Sequence, residues 1–363
     1  MVRVVGMDPG TRSFDICGLE DGRVFLDETI PTVEMSSSPE LIASRIEENM
    51  PIDLIVAPSG YGLPLIAISE LDGPLLSQVV LARREDLTVG VPGLTVLLRM
   101  FKERGFKGYV IPGVIHLPTV PWYRKANRID LGTADKLCCA ALGIHDQAEK
   151  LNIDYRETSF ILVELGYAFT AALAVKDGAV IDGLGGTTGP IGFQSLGSMD
   201  GELAYLLDGF SKEVLFTGGA AYLAGNPRID PEEFVASSST NDRFRWALEA
   251  LLEGVEKAVA ALQVSAGKVR EILLSGRLSR IPSLEILLKE RLQKYAHTRR
   301  VGVIAPISKE AAQGAALIAD GLAGGRFKAL IEAMRLREAE GTVLDHLYIK
   351  GRERIMLSPI GQD

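Results

Sequence analysis

Apolar residues recur along the first thirty positions in three short runs, Val2–Met7, Ser13–Leu19 and Arg23–Ile30, joined by tight polar turns. Runs of this length predict strands, and connections this short predict an antiparallel meander. The period then lengthens. "SPELIASRIEENM" sets Leu41, Ile42 and Ile46 on one helical side, with Ser38 as N-cap. "IDLIVAPSGYGLP" predicts a buried strand opening into a Gly/Pro loop. "GLTVLLRMFKERG" predicts a helix stopped by Gly105, and "GYVIPGVIHL" another strand. "TADKLCCAALGI" is apolar almost all round, as expected of a buried helix.

After the polar linker "KLNIDYRET" the opening pattern returns in "SFILVELGYAFTAALAVKDGAVIDGL". An ungapped shift of 156 residues sets Asp8 on Glu164, Gly10 on Gly166, Asp21-Gly22 on Asp177-Gly178 and Val24 on Val180. An acid, a glycine and an Asp-Gly turn at one offset, inside matching strand patterns, read as duplicated halves. The second half continues through the Gly-rich "GLGGTTGPIGFQSLGSMDG" to a strand running into "LFTGGAAYLAG". The longest helix is expected in "NDRFRWALEALLEGVEKAVAALQ". "VREILLSGR" is a strand ending on Ser275-Gly276-Arg277, followed by the helix "PSLEILLKERL". In the helix "SKEAAQGAALIADGLAGG", Ala311 and Ala315 stack beside Gly314, a spacing that permits close approach of a second helix. "ALIEAMRLREAEG" is a last helix, and the tail is expected to add a hairpin or strand. The expected division is residues 1–150, residues 151–325 and a packing tail over 326–363.

Charge and composition narrow the chemistry. A chain of 363 residues suggests two domains, and its net charge of −8 argues against nucleic acid as a partner. The best basic cluster, Arg124-Lys125 with Arg128, suits a small anion. Cys17, Cys138 and Cys139 match no disulfide or zinc spacing, and the four histidines form no HxxxH pair. No signal peptide opens the chain, and no uninterrupted apolar stretch reaches the length of a membrane span. A cytoplasmic protein with no membrane partner is expected, and a homodimer is left open.

The stretch "GMDPGTRS" carries the first candidate chemistry. A strand ending on Asp8 and turning into Pro9-Gly10-Thr11 reads as a phosphate-holding hairpin, as a nuclease carboxylate of the Holliday-junction resolvase kind, or as a plain turn. The repeat favours the first reading. Two facing hairpins form a clamp whose backbone N–H groups and hydroxyls point at a polyphosphate, with glycine where the backbone must approach closely. Thr11 and Ser13 supply hydroxyls on one side and Thr170 on the other. Asp8 and Glu164 are the candidate Mg²⁺ ligands.

These residues carry a resemblance. "GMDPGTRS" is similar to the first phosphate motif of the actin/sugar kinase/Hsp70 superfamily, and "VELGYAFT" to its second. "ILLSGRLSRIPSLEILLKERL" resembles its adenosine motif, and "TADKLCCAALGI" and "SKEAAQGAALIADGLAGG" its two connecting helices. "IDGLGGTTGPIGFQSLGSMDGE" resembles a segment of acetate and butyrate kinases. More narrowly, the chain resembles an archaeal family labelled predicted butyrate kinase, DUF1464. The resemblance implies an α/β protein of two duplicated ribonuclease H-like (actin-like ATPase) domains, with a nucleotide cleft between them. It implies an ATP- and Mg²⁺-dependent kinase for a small acceptor, with a short carboxylic acid such as butyrate in view.

The roles it implies are specific. Asp8 positions Mg²⁺ and water, while Gly10, Thr11 and Ser13 hold phosphates. Glu164, Gly166 and Thr170 form the opposing jaw. Ser275, Gly276 and Arg277 contact adenosine, with Gly185, Gly186, Gly218 and Gly219 as further nucleotide contacts. Asp135 assists transfer, and Arg124 or Arg128, or else Arg84, grips an acidic acceptor. The loops "APSGYGLP" and "WYRKANRIDLGTADK" wall the acceptor pocket. The sequence departs from the superfamily pattern at Glu164, where Asp is usual, and at Arg277, where a second Gly is usual. Two alternatives follow: an ATP-driven switch like the activators of 2-hydroxyacyl-CoA dehydratases, and a nucleotide-binding protein without catalysis.

Overall fold

The alternating runs build two mixed β-sheets in a computed structural model that describes residues 1–57, 59–81, 83 and 93–355. The first sheet comprises β1 (Arg3–Pro9), β2 (Ser13–Glu20), β3 (Arg23–Pro31), β4 (Leu54–Val56), β5 (Ile66–Ala67) and β6 (Gly108–Val110). The second comprises β7 (Ser159–Leu165), β8 (Thr170–Lys176), β9 (Ala179–Leu184), β10 (Glu271–Ser275) and β11 (His297–Arg300). Their orders are β3-β2-β1-β4-β6-β5 and β11-β10-β7-β8-β9. Without the edge strand β5, each sheet is an antiparallel meander extended by two parallel strands.

The repeat holds to the residue. Asp8 pairs with Asp15 across β1 and β2, and Glu164 pairs with Ala171 across β7 and β8. The ladder slips between Gly18 and Leu19 in one half, and between Ala174 and Val175 in the other. Both hairpins turn on an Asp-Gly pair with positive φ, 47° and 77° at Asp21-Gly22 and 53° and 73° at Asp177-Gly178. That is the backbone an inverse type I turn demands, and Asp-Gly supplies it. The shift of 156 residues therefore carries strands, bulge and turn together.

Two helices link the halves. Ala134–Leu151 follows β6, and Glu310–Leu322 follows β11. Each packs on the sheet of the other half: Glu310–Leu322 lies on β1, β2 and β4, and Ala134–Leu151 on β7 and β8. Every residue of Glu310–Leu322 is buried. The two helices meet where Gly314 lies against the Cys138 carbonyl, and β1 meets the second helix where Gly6 lies against the Ala315–Ala316 backbone. Small residues thus set both approach distances. The core between the sheets joins Val4 and Leu19 of the first to Leu162 and Val175 of the second through these helices. Separate apolar clusters cover the outer faces, around Ile46 and Phe101 on one side and Leu251 and Leu284 on the other.

Some local expectations are corrected. The helix of the first half spans Glu40–Glu48 with Pro39, not Ser38, at its N-cap position. β6 ends at Val110, because Pro112 cannot continue the ladder, and Val114–His116 is a 3₁₀ turn. "LFTGGAAYLAG" holds no strand: it lies over the end of the 3₁₀ turn Lys212–Phe216 and the helix Ala220–Leu223, and its one β-type pairing is the isolated Ser195–Gly218 bridge. The tail, through residue 355, forms no strand and docks by a Tyr348 N–H bond to Asn127 Oδ1 at 2.7 Å. Among the described residues no helix is long and apolar enough to cross a membrane.

Candidate functional site

Strands β1 and β7 each end on an acid and enter a glycine turn. The Gly10 N–H donates to the Ser13 carbonyl at 3.0 Å, and the Gly166 N–H donates to the Phe169 carbonyl at 2.9 Å, again at the offset of the repeat. Parallel strands deliver these turns to one edge of each sheet, the usual place for a ligand in an α/β fold. Both acids are buried, Asp8 to 5% exposure and Glu164 to 8%. Buried carboxylates need a partner, and each finds a lysine on a connecting helix.

Lys309, at the N-cap of Glu310–Leu322, sets its Nζ 2.7 Å from Asp8 Oδ2 and 3.1 Å from Asp15 Oδ2. Lys136, in the first turn of Ala134–Leu151, sets its Nζ 3.0 Å from Glu164 Oε2 and 2.5 Å from Asp135 Oδ2. The first-half acid takes a second-half lysine, and the second-half acid a first-half lysine. Both lysines lie inside the connecting-helix segments, but the sequence assigned neither of them a role. Their only signal is that "TADK" and "SKEAA" each place one lysine at the start of a connecting helix.

Burial governs the titration of the acids. It raises Asp8 above the ordinary carboxylate range against the pull of Lys309, and the charges of Asp135 and Asp15 push the same way. Burial likewise lifts Glu164 to about 7, although Lys136 pulls it down. Burial also works to raise Asp135, but the charge and hydrogen bond of Lys136 and the bond from Thr133 Oγ1 outweigh it and hold that carboxyl low. Burial opposes the charge of both lysines, and their carboxylates more than offset it, so both sit above the ordinary lysine value.

A cavity of about 240 Å³ opens onto these groups. Of the expected site residues, it is lined by Asp8, Gly10, Thr11, Ser13, Asp135, Glu164, Gly166, Gly186, Gly276 and Arg277. Its described lining carries five acids (Asp8, Asp130, Asp135, Glu164, Glu310) and five bases (Arg12, Lys136, Lys212, Arg277, Lys309). In a chain of net charge −8 this balance leaves the cavity more receptive to anions than the average surface. Arg12, inside the first turn, lies 4.7 Å from the Tyr167 ring of the second and so spans the two. Both expected acceptor loops contribute, through Ser59 and Tyr61 on one side and Asp130 and Thr133 on the other.

Other expected residues lie elsewhere. Thr170 and Ser275 are buried behind the acids, and among the described residues their hydroxyls have no hydrogen-bond partner. Gly185 packs on the Asp130 carboxylate, and Gly219 donates its N–H to the Gln194 carbonyl at 2.7 Å. Gly218 forms the bridge to Ser195. Arg124 donates to the Ile181 carbonyl at 2.8 Å and faces Asp182 at 3.7 Å, away from the cavity. Arg128 is exposed and does not line it, and Arg84 lies outside the described residues.

Asp130 was not expected. Its Oδ1 accepts the Gly132 N–H at 3.0 Å, and its Oδ2 accepts both the N–H and the hydroxyl of Thr187, each at 3.0 Å. It ties the second acceptor loop to the Gly-rich segment. Asp130→Ala is expected to cost about 2 kcal/mol, since three bonds to a charged acceptor are lost. Urea denaturation with limited proteolysis near Thr187 measures this, and an unchanged midpoint and cleavage pattern count against the tie.

The donors present fit a polyphosphate better than a metal ion. Two glycine turns, two ammonium groups and Arg12 converge on one space. Gly276, at φ 86°, brings the end of β10 so close that a Cβ there would lie 2.5 Å from Glu164 Oε1. Mg²⁺ on Asp8 and Glu164 meets carboxylates already held by lysines. Among the described residues no three Asp, Glu, His or Cys side chains stand together to hold a metal ion.

The architecture recurs in solved structures. The chain superposes on acetate kinase from Entamoeba histolytica with a TM-score of 0.61 at 13% identity, covering 80% of this chain and 86% of that one. For a propionate kinase from Francisella tularensis the values are 0.61 and 13%, covering 86% and 99%. For acetate kinase from Porphyromonas gingivalis they are 0.60 and 14%, covering 87% and 98%. At these identities the likeness shows the fold alone, an α/β architecture shared with these structures. No curated protein sequence matches the chain. A family model described as "Protein of unknown function (DUF1464)" matches residues 6–349, and the chain belongs to that family.

Proposed function

We propose that this protein is an ATP-dependent phosphotransferase whose acceptor is a small molecule, with a short carboxylic acid such as butyrate as the favoured class. The reading rests on one observation above the others: two glycine turns, related by the repeat and each ending an acid-bearing strand, face a single cavity that also carries Lys136 and Lys309. In this reading residues 1–150 and 151–325 are the two domains, 326–363 packs on them, and the cavity is the cleft between them. Gly10, Thr11, Ser13 and Gly166 cradle phosphates, Gly276 and Arg277 meet the adenosine, and Arg12 bridges the turns over the phosphate chain.

Asp135 is the residue placed to handle a proton. Its carboxylate stays ionised, lines the cavity and is oriented by Thr133 and Lys136. For a hydroxyl or water it serves as base. For a carboxylate acceptor no proton is removed, and Asp135 only fixes Lys136. The wall formed by Val56, Val79, Leu94 and Ile111 is apolar and suits a short aliphatic chain.

Isothermal titration with ATP, then a phosphate-transfer screen over short acids, tests the reading. Gly166→Val crowds the turn, because a Cβ there would lie 3.1 Å from the Phe169 carbonyl oxygen and 3.3 Å from Glu164 Oε1. It is expected to weaken ATP binding at least about 10-fold in a protein that circular dichroism still shows folded. No ATP binding by the wild type would falsify the proposal. Binding without transfer or hydrolysis selects the second reading, a nucleotide-binding protein without catalysis, which the ion pairing of both acids favours.

A further inference from the structure

The placement of the two lysines has a consequence for how a polyphosphate is met. The Lys309 ammonium sits inside the first glycine turn: a Cβ on Gly10 would lie 2.3 Å from its Nζ, and the Ser13 carbonyl is 3.4 Å away. It occupies the space a phosphate oxygen must approach. Lys136 pairs with Glu164 as Lys309 pairs with Asp8, beside the second turn rather than inside it, and each ammonium is shared by two carboxylates. We propose that Lys136 and Lys309 are the phosphate-binding cations of this cavity, exchanging carboxylate for phosphate oxygens as a polyphosphate enters, without a divalent metal. The proposal rests on the nucleotide reading above.

The exchange balances in charge. An ammonium that turns to phosphate leaves a buried acid behind, and that acid is poised to take a proton. Asp8 faces Lys309, Asp15 and Asp135; Glu164 faces Lys136, Asp135 and Asp8. Burial already holds both acids above the ordinary carboxylate range, so losing the lysine carries them further toward the neutral form. Lysine suits this use: a flexible stem lets one ammonium reach either partner.

The test is calorimetric titration of the intact protein with ATP in EDTA and, separately, in excess magnesium, each in two buffers of different ionisation enthalpy. Affinity in EDTA is expected within about 10-fold of that in magnesium, with proton uptake seen as a buffer-dependent heat. Binding in magnesium that weakens more than about 100-fold in EDTA overturns this proposal and leaves the nucleotide reading standing. No binding in either medium overturns both. Lys309→Met alone strands Asp8 and Asp15 without a cation, so the paired variant Asp8→Asn/Lys309→Met is used as well. Folded by circular dichroism, it is expected to bind ATP in EDTA at least about 10-fold more weakly, and unchanged binding overturns the role of Lys309.

Discussion

Gly314→Ala is expected to destabilise the protein by at least about 3 kcal/mol, because the added methyl group meets backbone. A Cβ at Gly314 would lie 1.8 Å from the Cys138 carbonyl oxygen and 2.5 Å from its carbon. Those are backbone atoms of the other connecting helix, so no rotamer change relieves the overlap. The helices must part, and Glu310–Leu322 is buried along its whole length and held on its other side by β1. There Gly6 leaves a Cβ only 2.1 Å from the Ala316 nitrogen, so the helix cannot retreat. Close-packed interiors pass such strain on rather than absorb it. Gly201→Ala is the control: nothing lies within 4 Å of its Cβ, and it opens an exposed helix. It should stay within about 0.5 kcal/mol of the wild type. Chemical denaturation of both variants measures the contrast, and equal midpoints would show that the helices do not meet at Gly314.

The same helices explain how much of the site could be read from the chain alone. The strands, the Asp-Gly turns and the 156-residue offset are local patterns, and each was legible because period and turn chemistry act over a few residues. The small-residue helix was legible for the same reason, since Ala311, Gly314 and Ala315 share one face. The lysines were not. Lys309 meets Asp8 across 301 residues, and no spacing rule connects them. Asp130 is another long-range tie, reaching Thr187 over 57 residues. Arg124 stood out because basic residues cluster in sequence around it, but its guanidinium is spent on Ile181 and Asp182. β11 was missed because "HTRR" has the polarity of a loop, and only pairing with β10 makes it a strand.

Exchange of helices between the halves also gives the two acids a shared fate. Each acid is neutralised by a residue that folds onto its sheet only once the other half is complete. Neither turn is electrostatically finished within its own half, so the duplicated units are expected to be interdependent. Two ion pairs built on buried carboxylates stabilise little by themselves, yet breaking either one leaves an uncompensated charge.

Glu164→Gln should therefore become progressively more stable relative to the wild type as pH rises from about 5 to 8, by a final margin on the order of 2–3 kcal/mol. The sign follows from burial. In the folded protein the Glu164 carboxyl is held at about 7, whereas its ordinary value is 4.5. Below the ordinary value it is protonated in both states, and its contribution to stability is fully present. Between the two values the unfolded chain releases the proton and the folded chain retains it, so stability falls as pH rises. Above the folded value both are ionised, and the loss is complete. Glutamine keeps the uncharged shape at every pH and escapes the decline, while Lys136 keeps Asp135 as its partner at 2.5 Å. Urea denaturation of both proteins across this range measures the margin. Parallel curves would mean that Lys136 holds Glu164 ionised throughout, and the second turn would then present a fixed negative charge to any phosphate that enters.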